Sequence, residues 1–306
     1  MPLKLLKLPQ IVQQEIINHM AFDDIFLFSL CSTSIVRIIR NVRFPEQIRR
    51  MKVYVRKGGN MVMEVSGYHI CSMILASELL YGEVIKTRKT DRAVEFRFQR
   101  FSSAIEEISF LNILRYSEPD RNIAPLAIQD HIEYLFRRSF DVKLTIKSSA
   151  DLPILPAFRN VITCKIDGEK DTVDATVLDQ FFSCHPNMKG CRIMPSVTGE
   201  INADSNMCKL QNICCDSKII ASNIISTFPG TILVFHQAEC NISVFLDLLR
   251  KWYNKDAHQN LKIASVRLSD TSRVPADGWQ EIDLLQEFNP RPWNEERRPA
   301  SHIKAE

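Results

Sequence analysis

The stretch LPQIVQQEIINHMAFDDIFLFSLCSTSIVRIIR, residues 8–40, decides how the chain begins to fold. Its first part places Val12, Ile16 and Met20 four residues apart, which is the spacing of one face of an α-helix. Pro9 suits the first turn of such a helix, where a missing backbone N–H removes no hydrogen bond. The pattern therefore predicts a helix over residues 9–20 with one apolar stripe.

Two further short helices are predicted in the same stretch. Asp23 or Asp24 can cap the second helix, and Ser32 or Ser34 the third, because these side chains accept hydrogen bonds from free backbone N–H groups. Three short helices bury little apolar surface by themselves. Their apolar side chains exceed what so small a unit can cover, so we expect some of them to contact a partner.

These residues resemble the F-box, the motif that docks substrate receptors onto the Skp-type linker of SCF ubiquitin ligases. The matching positions are Leu8-Pro9, Val12, Ile16, Met20, Asp23-Asp24 and Leu30-Cys31-Ser32. The third helix departs from the pattern, since residues 33–37 read TSIVR instead of the Trp-containing or Arg-rich run of many F-boxes. The SLCS form of residues 29–32 is similar to the F-boxes of a large nematode family that carries a type-2 F-box-associated domain. The alternative is an ordinary helical cap on the domain that follows.

The resemblance implies a substrate-recognition adaptor of an SCF-type cullin-RING ubiquitin ligase. Such a chain binds the Skp-type linker and, through it, cullin, and it holds a protein substrate that the sequence does not identify. The reactive groups belong to other subunits, so we expect no enzymatic activity of the chain itself. The alternatives are an F-box scaffold without ubiquitin output and an unrecognised hydrolase or transferase. The expected linker-binding residues are Leu8, Pro9, Val12, Ile16, Met20, Ile25, Phe28 and Leu30.

Composition narrows the compartment and the partners. The chain has 306 residues, of which 45% are hydrophobic and 25% charged, so it can bury a sizeable core. A net charge of +3 argues against a nucleic-acid partner. No run approaches the ~20 apolar residues of a membrane helix, and polar residues interrupt any signal peptide. Because nine cysteines without an export signal indicate reduced thiols, we expect a cytoplasmic and/or nuclear protein with no membrane contact.

After residue 45 the hydrophobic period changes to two. Residues 51–56 and 61–65 alternate apolar and polar side chains on either side of Gly58-Gly59-Asn60, which predicts a β-hairpin. Residues 93–101 alternate in the same way. We therefore predict an F-box over residues 1–45 and a linking region over 46–124 that contains a small antiparallel sheet.

From about residue 125 helical and strand-like segments alternate. Helices are predicted at 128–138, 173–182, 219–228 and 242–253, and strands at 142–146, 161–166, 191–194, 210–214, 231–235 and 261–268. A spacing of roughly 20 to 30 residues is typical of leucine-rich-repeat units, although no segment has a clean consensus. We predict an α/β protein, α+β overall, with an F-box-associated, leucine-rich-repeat-like domain over 125–288. A doubly wound sheet is the alternative topology, and the Pro-rich, charged residues 289–306 predict a disordered tail.

Residues 241–268 resemble the signature of type-2 F-box-associated domains. The residues that carry the resemblance are Phe245-Leu246, Leu249, Trp252 and Asn260-Leu261-Lys262-Ile263. Val244, Leu248 and Trp252 recur every fourth residue, which predicts a core-facing helix with Trp252 as a packing residue. Asn241 fits the N-cap of that helix better than a glycosylation site.

The chain carries no recognisable catalytic motif. It has no G-x-S-x-G, H-E-x-x-H, G-x-G-x-x-G or P-loop pattern, and its nine glycines leave few candidates for a phosphate-binding loop. Cys184, Cys191, Cys208 and Cys214-Cys215 form no C-x-x-C pair, so we expect buried thiols, no metal and no cofactor. A Cys184–His236 nucleophile pair is one alternative that the residue types allow. Substrate-binding residues depend on a strand register that the sequence does not fix.

Overall fold

The protein has a mixed α/β structure in which N-terminal helices precede a strand-rich sheet. The computed structural model describes residues 5–44, 49–58, 61–65, 73–76, 84–89, 95–101, 111–115, 118–168 and 170–268. The predicted tail over residues 289–306 lies outside these ranges. Within the described ranges, no helix combines the length and the hydrophobicity that a membrane span requires.

Residues 5–44 form a helical unit, and the three predicted helices are confirmed. It consists of a 3₁₀ turn at Leu5–Lys7, α1 at Gln10–Asn18, α2 at Phe22–Ser29 and α3 at Thr33–Asn41. Ser32 caps α3 by accepting a hydrogen bond from the backbone N–H of Ile35. The predicted aspartate cap of α2 is wrong, because the helix begins at Phe22 after Ala21 and places both aspartates in its first turn.

The described strands form one twelve-stranded sheet and a separate two-stranded pair. They are β1 (Arg50–Val55), β2 (Met61–Val65), β3 (Met73–Ala76), β4 (Val84–Lys89), β5 (Glu95–Phe101), β6 (Leu111–Arg115), β7 (Asp141–Ile146), β8 (Val161–Ile166), β9 (Thr172–Asp174), β10 (Gly190–Ile193), β11 (Ser196–Thr198), β12 (Asn212–Ile220), β13 (Ile232–Glu239) and β14 (Ile263–Leu268). Strands β9 and β11 form the small pair, and the other twelve form the large sheet.

The predicted hairpin is confirmed, but it does not belong to a separate small sheet. β1 pairs antiparallel with β2, with Met51 opposite Val65. The other edge of β1 pairs in parallel with β7, so the antiparallel strands continue the parallel part of the sheet. Sequence periodicity missed this junction because β1 and β7 lie far apart in the chain.

The parallel part runs β1, β7, β8, β10, β12, β13, β14, and this spatial order follows the chain order without a reversal. A doubly wound sheet requires such a reversal. Because right-handed crossovers all leave in the same direction, they place the intervening helices on one face of the sheet. These helices are α4 at Ala124–Phe136, α5 at Ala175–Cys184, α6 at Ser222–Thr227 and α7 at Ile242–Asn254.

The helix-covered face of the parallel sheet is the hydrophobic core. Six neighbouring parallel strands, β1, β7, β8, β10, β12 and β13, each contribute one buried residue to a continuous row across this face. The row is Val53, Leu144, Cys164, Cys191, Ile213 and Leu233. The next buried row, two residues further along, is Val55, Ile146, Ile166, Ile193, Cys215 and Phe235. Each fully buried aliphatic or aromatic side chain contributes roughly 1.5–3 kcal/mol, so these rows dominate the stability of the sheet.

The helical unit and the sheet share one core through α4. Ser29 and His131 are joined by a hydrogen bond of 2.7 Å between Oγ and Nε2, and the His131 ring lies edge-on to Phe26 at a centroid distance of 5.4 Å. Phe44 packs against Phe136 of α4 with ring centroids 4.7 Å apart. We call these contacts the α4 seam. The buried cluster is therefore continuous from the helical unit into the sheet.

Helix α7 has the predicted cap but not the predicted orientation of Trp252. Asn241 accepts a hydrogen bond from the N–H of Ser243, which confirms it as the N-cap. Leu248 is buried, whereas Trp252 is 42% exposed and donates a hydrogen bond from Nε1 to the carbonyl of Leu261. The prediction of a core-packed Trp252 is wrong, because the helix is ending there: Lys255 adopts the left-handed conformation that closes it.

Candidate protein-interaction surfaces

The helical unit exposes apolar side chains on its first two elements. Leu6 is 56% exposed, Ile11 79% and Val12 41%, and we call these three residues the N-terminal apolar patch. Ile17, on the opposite side of α1, is fully buried against the other helices. A short helix with apolar residues on both sides buries one side internally and leaves the other for a partner.

The eight residues predicted to bind the linker divide into two groups. Pro9 and Val12 are exposed, and four others lie partly exposed around them, namely Leu8, Ile16, Met20 and Phe28. Ile25 and Leu30 are 0% and 5% exposed, because the packing of α1, α2 and α3 uses them as its own core, which leaves them no surface for a partner. Leu6 and Ile11, which are exposed beside this set, were not among the predicted residues. The sequence did contain a sign of the exposure of Ile11. Helix α1 has more apolar residues than one buried stripe can hold, so at least one of them has to face outward.

The second surface is the face of the parallel sheet opposite the helices. Its first row of outward residues is Lys52, Lys143, Thr163, Gly190, Asn212, Ile232 and Ile263. Its second row is Tyr54, Thr145, Lys165, Arg192, Cys214, Val234 and Ser265. We call these two rows the open face. Apart from Thr145 and Gly190, its residues are exposed or only half-buried, whereas parallel sheets are ordinarily covered on both faces.

Charged side chains form two groups at the carboxyl ends of these strands, one around Asp167 and one around Asp216. Asp167 accepts a hydrogen bond from Lys147 at 2.5 Å and forms an ion pair with Lys165 at 2.8 Å. Burial alone would raise the pKa of Asp167, but the two lysines outweigh it and lower that pKa. Asp216 accepts from Arg192 Nε at 2.7 Å and lies 3.5 Å from His236 Nε2. Both carboxylates are thus engaged by neighbouring cations or imidazole.

One group of side chains could supply metal ligands. The ligand atoms of Cys214, Asp216 and His236 all lie within 4.8 Å of one another, and thiolate, carboxylate and imidazole are the ligands of zinc. Two features oppose a cation there. Arg192 already holds Asp216, and burial together with the neighbouring Asp216 raises the pKa of Cys214 to about 11, so that the thiol is protonated at neutral pH.

The cysteines singled out from the sequence are not brought together. Cys184 is exposed at the end of α5, Cys191 is buried in the core row of β10, and Cys208 is buried in a 3₁₀ turn at Asn206–Lys209. Cys184 also lies at the strand edge where β10 begins, while His236 lies in the carboxyl half of β13, so the two do not form a pair. Burial raises the pKa of Cys191 and Cys208, which makes both thiols unreactive.

Cobalt titration tests the prediction that the chain holds no metal. With the thiol of Cys214 protonated and Arg192 beside Asp216, we expect no thiolate-to-cobalt absorption when Co²⁺ is added to the reduced protein at neutral pH. Zinc should likewise be absent at stoichiometric level after purification. A cobalt band that disappears in Cys214→Ser and in His236→Ala would contradict this prediction and locate the site.

Comparison with known protein families identifies an F-box domain at residues 5–47. The match covers the helical unit and both exposed and buried members of the predicted linker-binding set. F-box domains bind Skp-type linkers in SCF complexes, and F-box proteins are typically non-catalytic adaptors. The F-box thus indicates a role in substrate recognition within an SCF ligase. No curated protein and no solved structure shows a detectable similarity to the chain.

Proposed function

We propose that the chain is the substrate-recognition subunit of an SCF-type cullin-RING ubiquitin ligase. The observation that carries the proposal is an F-box domain whose first elements expose Leu6, Ile11 and Val12. Exposed aliphatic side chains in one patch are the usual anchors of a protein interface. The N-terminal apolar patch binds the Skp-type linker, and cullin joins through the linker.

The substrate binds to the open face of the sheet. Support comes from the strand order, because seven parallel strands in chain order with their helices on one side resemble a leucine-rich-repeat arc. Proteins of that architecture bind partners with the face that their helices leave uncovered. A relationship to nematode proteins with a type-2 F-box-associated domain is part of the same proposal, supported by residues 241–268.

The chain contributes position rather than chemistry. It holds the substrate at the sheet and the linker at the helices, so that a substrate lysine meets the ubiquitin-charged conjugating enzyme at a high effective concentration. The α4 seam supports this role, since a shared core keeps the two surfaces in a fixed relation. We place this activity in the cytosol or nucleus. The eight described cysteines, all free thiols, are consistent with a reducing compartment.

Reconstitution tests the proposed function. The full chain is mixed with a Skp-type linker, cullin and the RING subunit, and the assembled complex is isolated by size-exclusion chromatography. We expect stoichiometric incorporation of the chain and ubiquitin transfer that depends on it, read out as ubiquitination of the chain itself. Incorporation without any ubiquitin transfer supports the scaffold alternative. Failure to bind the linker contradicts the proposal.

A further inference from the structure

We propose that the open face binds an extended segment of a substrate protein that carries acidic residues at one end and aliphatic residues at the other. This inference rests on the proposed function, since it names the class of substrate that the adaptor holds. The open face is graded: its two rows carry the basic side chains Lys143, Lys165 and Arg192 over β7, β8 and β10. Over β12, β13 and β14 the rows are uncharged, and half of their side chains are aliphatic. We call these two parts the basic half and the apolar half. A single bound segment would span both halves.

The basic half has more cations than carboxylates. Its cations are Lys143, Lys165 and Arg192 on the face and Lys147 at its carboxyl edge. The carboxylates that pair with them are Asp167, which follows β8, and Asp216, which reaches Arg192 from the neighbouring β12. Both carboxylates are already paired with cations of this group. Asp141, one row earlier, lies opposite Arg50 in the strand register, so the two offset each other. Four cations against two carboxylates leave an excess of two positive charges.

Lys143 is an exposed cation of the basic half. Its side chain is exposed in the first row, between Lys52 and Thr163, and it has no ion-pair or hydrogen-bond partner among the described residues. Lys147 is 52% exposed even though it pairs with Asp167. Side chains that protrude from a sheet face with unused donors favour a carboxylate-bearing partner, because charge-assisted hydrogen bonds are stronger than neutral ones.

The apolar half lacks charged side chains in both rows. Ile232, Val234 and Ile263 are half-buried neighbours on β13 and β14, and the Cys214 thiol joins them from β12. These side chains present an aliphatic surface beside the basic one. Because strands lie about 4.8 Å apart, six strands from β7 to β14 span roughly 24 Å. An extended chain covers that distance with about seven residues at roughly 3.3 Å each.

Nucleic acid fits this face less well. A polyphosphate needs several unpaired cations along its path, whereas here Lys165 and Arg192 are paired with carboxylates and the far half is aliphatic. In the two rows Tyr54 alone offers an aromatic ring for base stacking. A segment with acidic residues at one end and aliphatic residues at the other matches both halves.

Selection from a random twelve-residue peptide library tests the inference. The full chain in complex with the linker is immobilised, and peptides are selected on it after removal of those that bind the linker alone. We expect the recovered peptides to carry a block of Asp and Glu next to a block of Leu, Ile or Val. The strongest peptide is then synthesised, and its affinity is measured by fluorescence anisotropy at low and physiological ionic strength, where salt should weaken it.

A double variant and a control variant test whether the selected peptide binds to the basic half. Lys143→Glu combined with Lys147→Gln should weaken the peptide about tenfold, because it replaces attraction by like-charge repulsion. Lys189→Glu is the matched control, since Lys189 is exposed at the opposite edge, where β10 begins, and it should change the affinity less than about twofold. Thermal denaturation by circular dichroism shows whether each variant stays folded.

Four results would overturn the inference: neutral or basic peptides, no enrichment over the linker alone, an affinity that the double variant leaves unchanged, or tighter binding of single-stranded nucleic acid than of any acidic peptide. Each of these leaves the proposed function standing as long as the chain still binds the linker. Loss of linker binding by the unmodified chain contradicts the proposed function instead, so the two failures are distinguishable.

Discussion

Ile11→Asp combined with Val12→Asp is expected to weaken binding of the Skp-type linker at least about 30-fold. Ile11 is 79% and Val12 41% exposed, so the change places two charges on the surface and leaves the core of the helical unit intact. In the complex the same carboxylates would be buried against apolar groups without a partner, which is strongly unfavourable. A loss of at least about 2 kcal/mol, or roughly 30-fold in affinity, is therefore expected.

Isothermal titration calorimetry with purified linker measures this loss. Ile154→Asp is the matched control, because Ile154 is a 38% exposed aliphatic residue that lies outside the helical unit, and its variant should bind the linker as the unmodified chain does. Circular dichroism establishes that both variants are folded. An unchanged affinity in a folded double variant would show that the N-terminal apolar patch is not the linker interface.

Phe136→Ala is expected to cost about 3–5 kcal/mol of unfolding free energy. Phe136 is 4% exposed, and its ring centroid lies 4.7 Å from that of Phe44 in the helical unit and 6.1 Å from that of Phe140, the residue before β7. Its removal opens a cavity where the two parts of the molecule meet. Because they share one buried cluster, the helical unit and the sheet should lose stability together, in one transition.

Urea denaturation followed by far-ultraviolet circular dichroism and by tryptophan fluorescence measures this effect. Tyr134→Ala on the same helix is the control: Tyr134 is 52% exposed, and its ring stacks under the Arg40 guanidinium at 4.1 Å. Loss of that exposed contact should cost about 0.5–1 kcal/mol. Two separate transitions, of which only one moves in Phe136→Ala, would mean that the parts fold independently.

The elements of this fold follow from local patterns in the sequence. Period-two alternation predicts β1 and β2, and caps such as Ser32 and Asn241 mark helix starts that the structure confirms. Local signals fail where tertiary contacts decide. The pairing of β1 with β7 is set by residues far apart in the chain, and Trp252 fits a helical stripe but lies beyond the end of the sheet-facing part of α7.

The interaction surfaces were predictable to different degrees. An F-box resemblance identified the helical unit, but it did not separate the exposed Val12 from the buried Ile25, because both are apolar and only packing distinguishes them. The open face was not predictable by residue. Which of two alternating sets faces outward depends on where the crossover helices lie, and a shift of one residue exchanges the sets.

Alternation along the strands also separates positions that can be substituted freely from positions that the core constrains. In β8, for example, Cys164 and Ile166 belong to the core while Lys165 belongs to the open face. Substitution at outward positions changes what the surface recognises and leaves the buried rows untouched, since neighbouring side chains point to opposite sides. Duplicated copies of such a chain could therefore diverge rapidly in their targets while purifying selection holds the alternate positions, so recognition and folding evolve on interleaved but independent sets of codons.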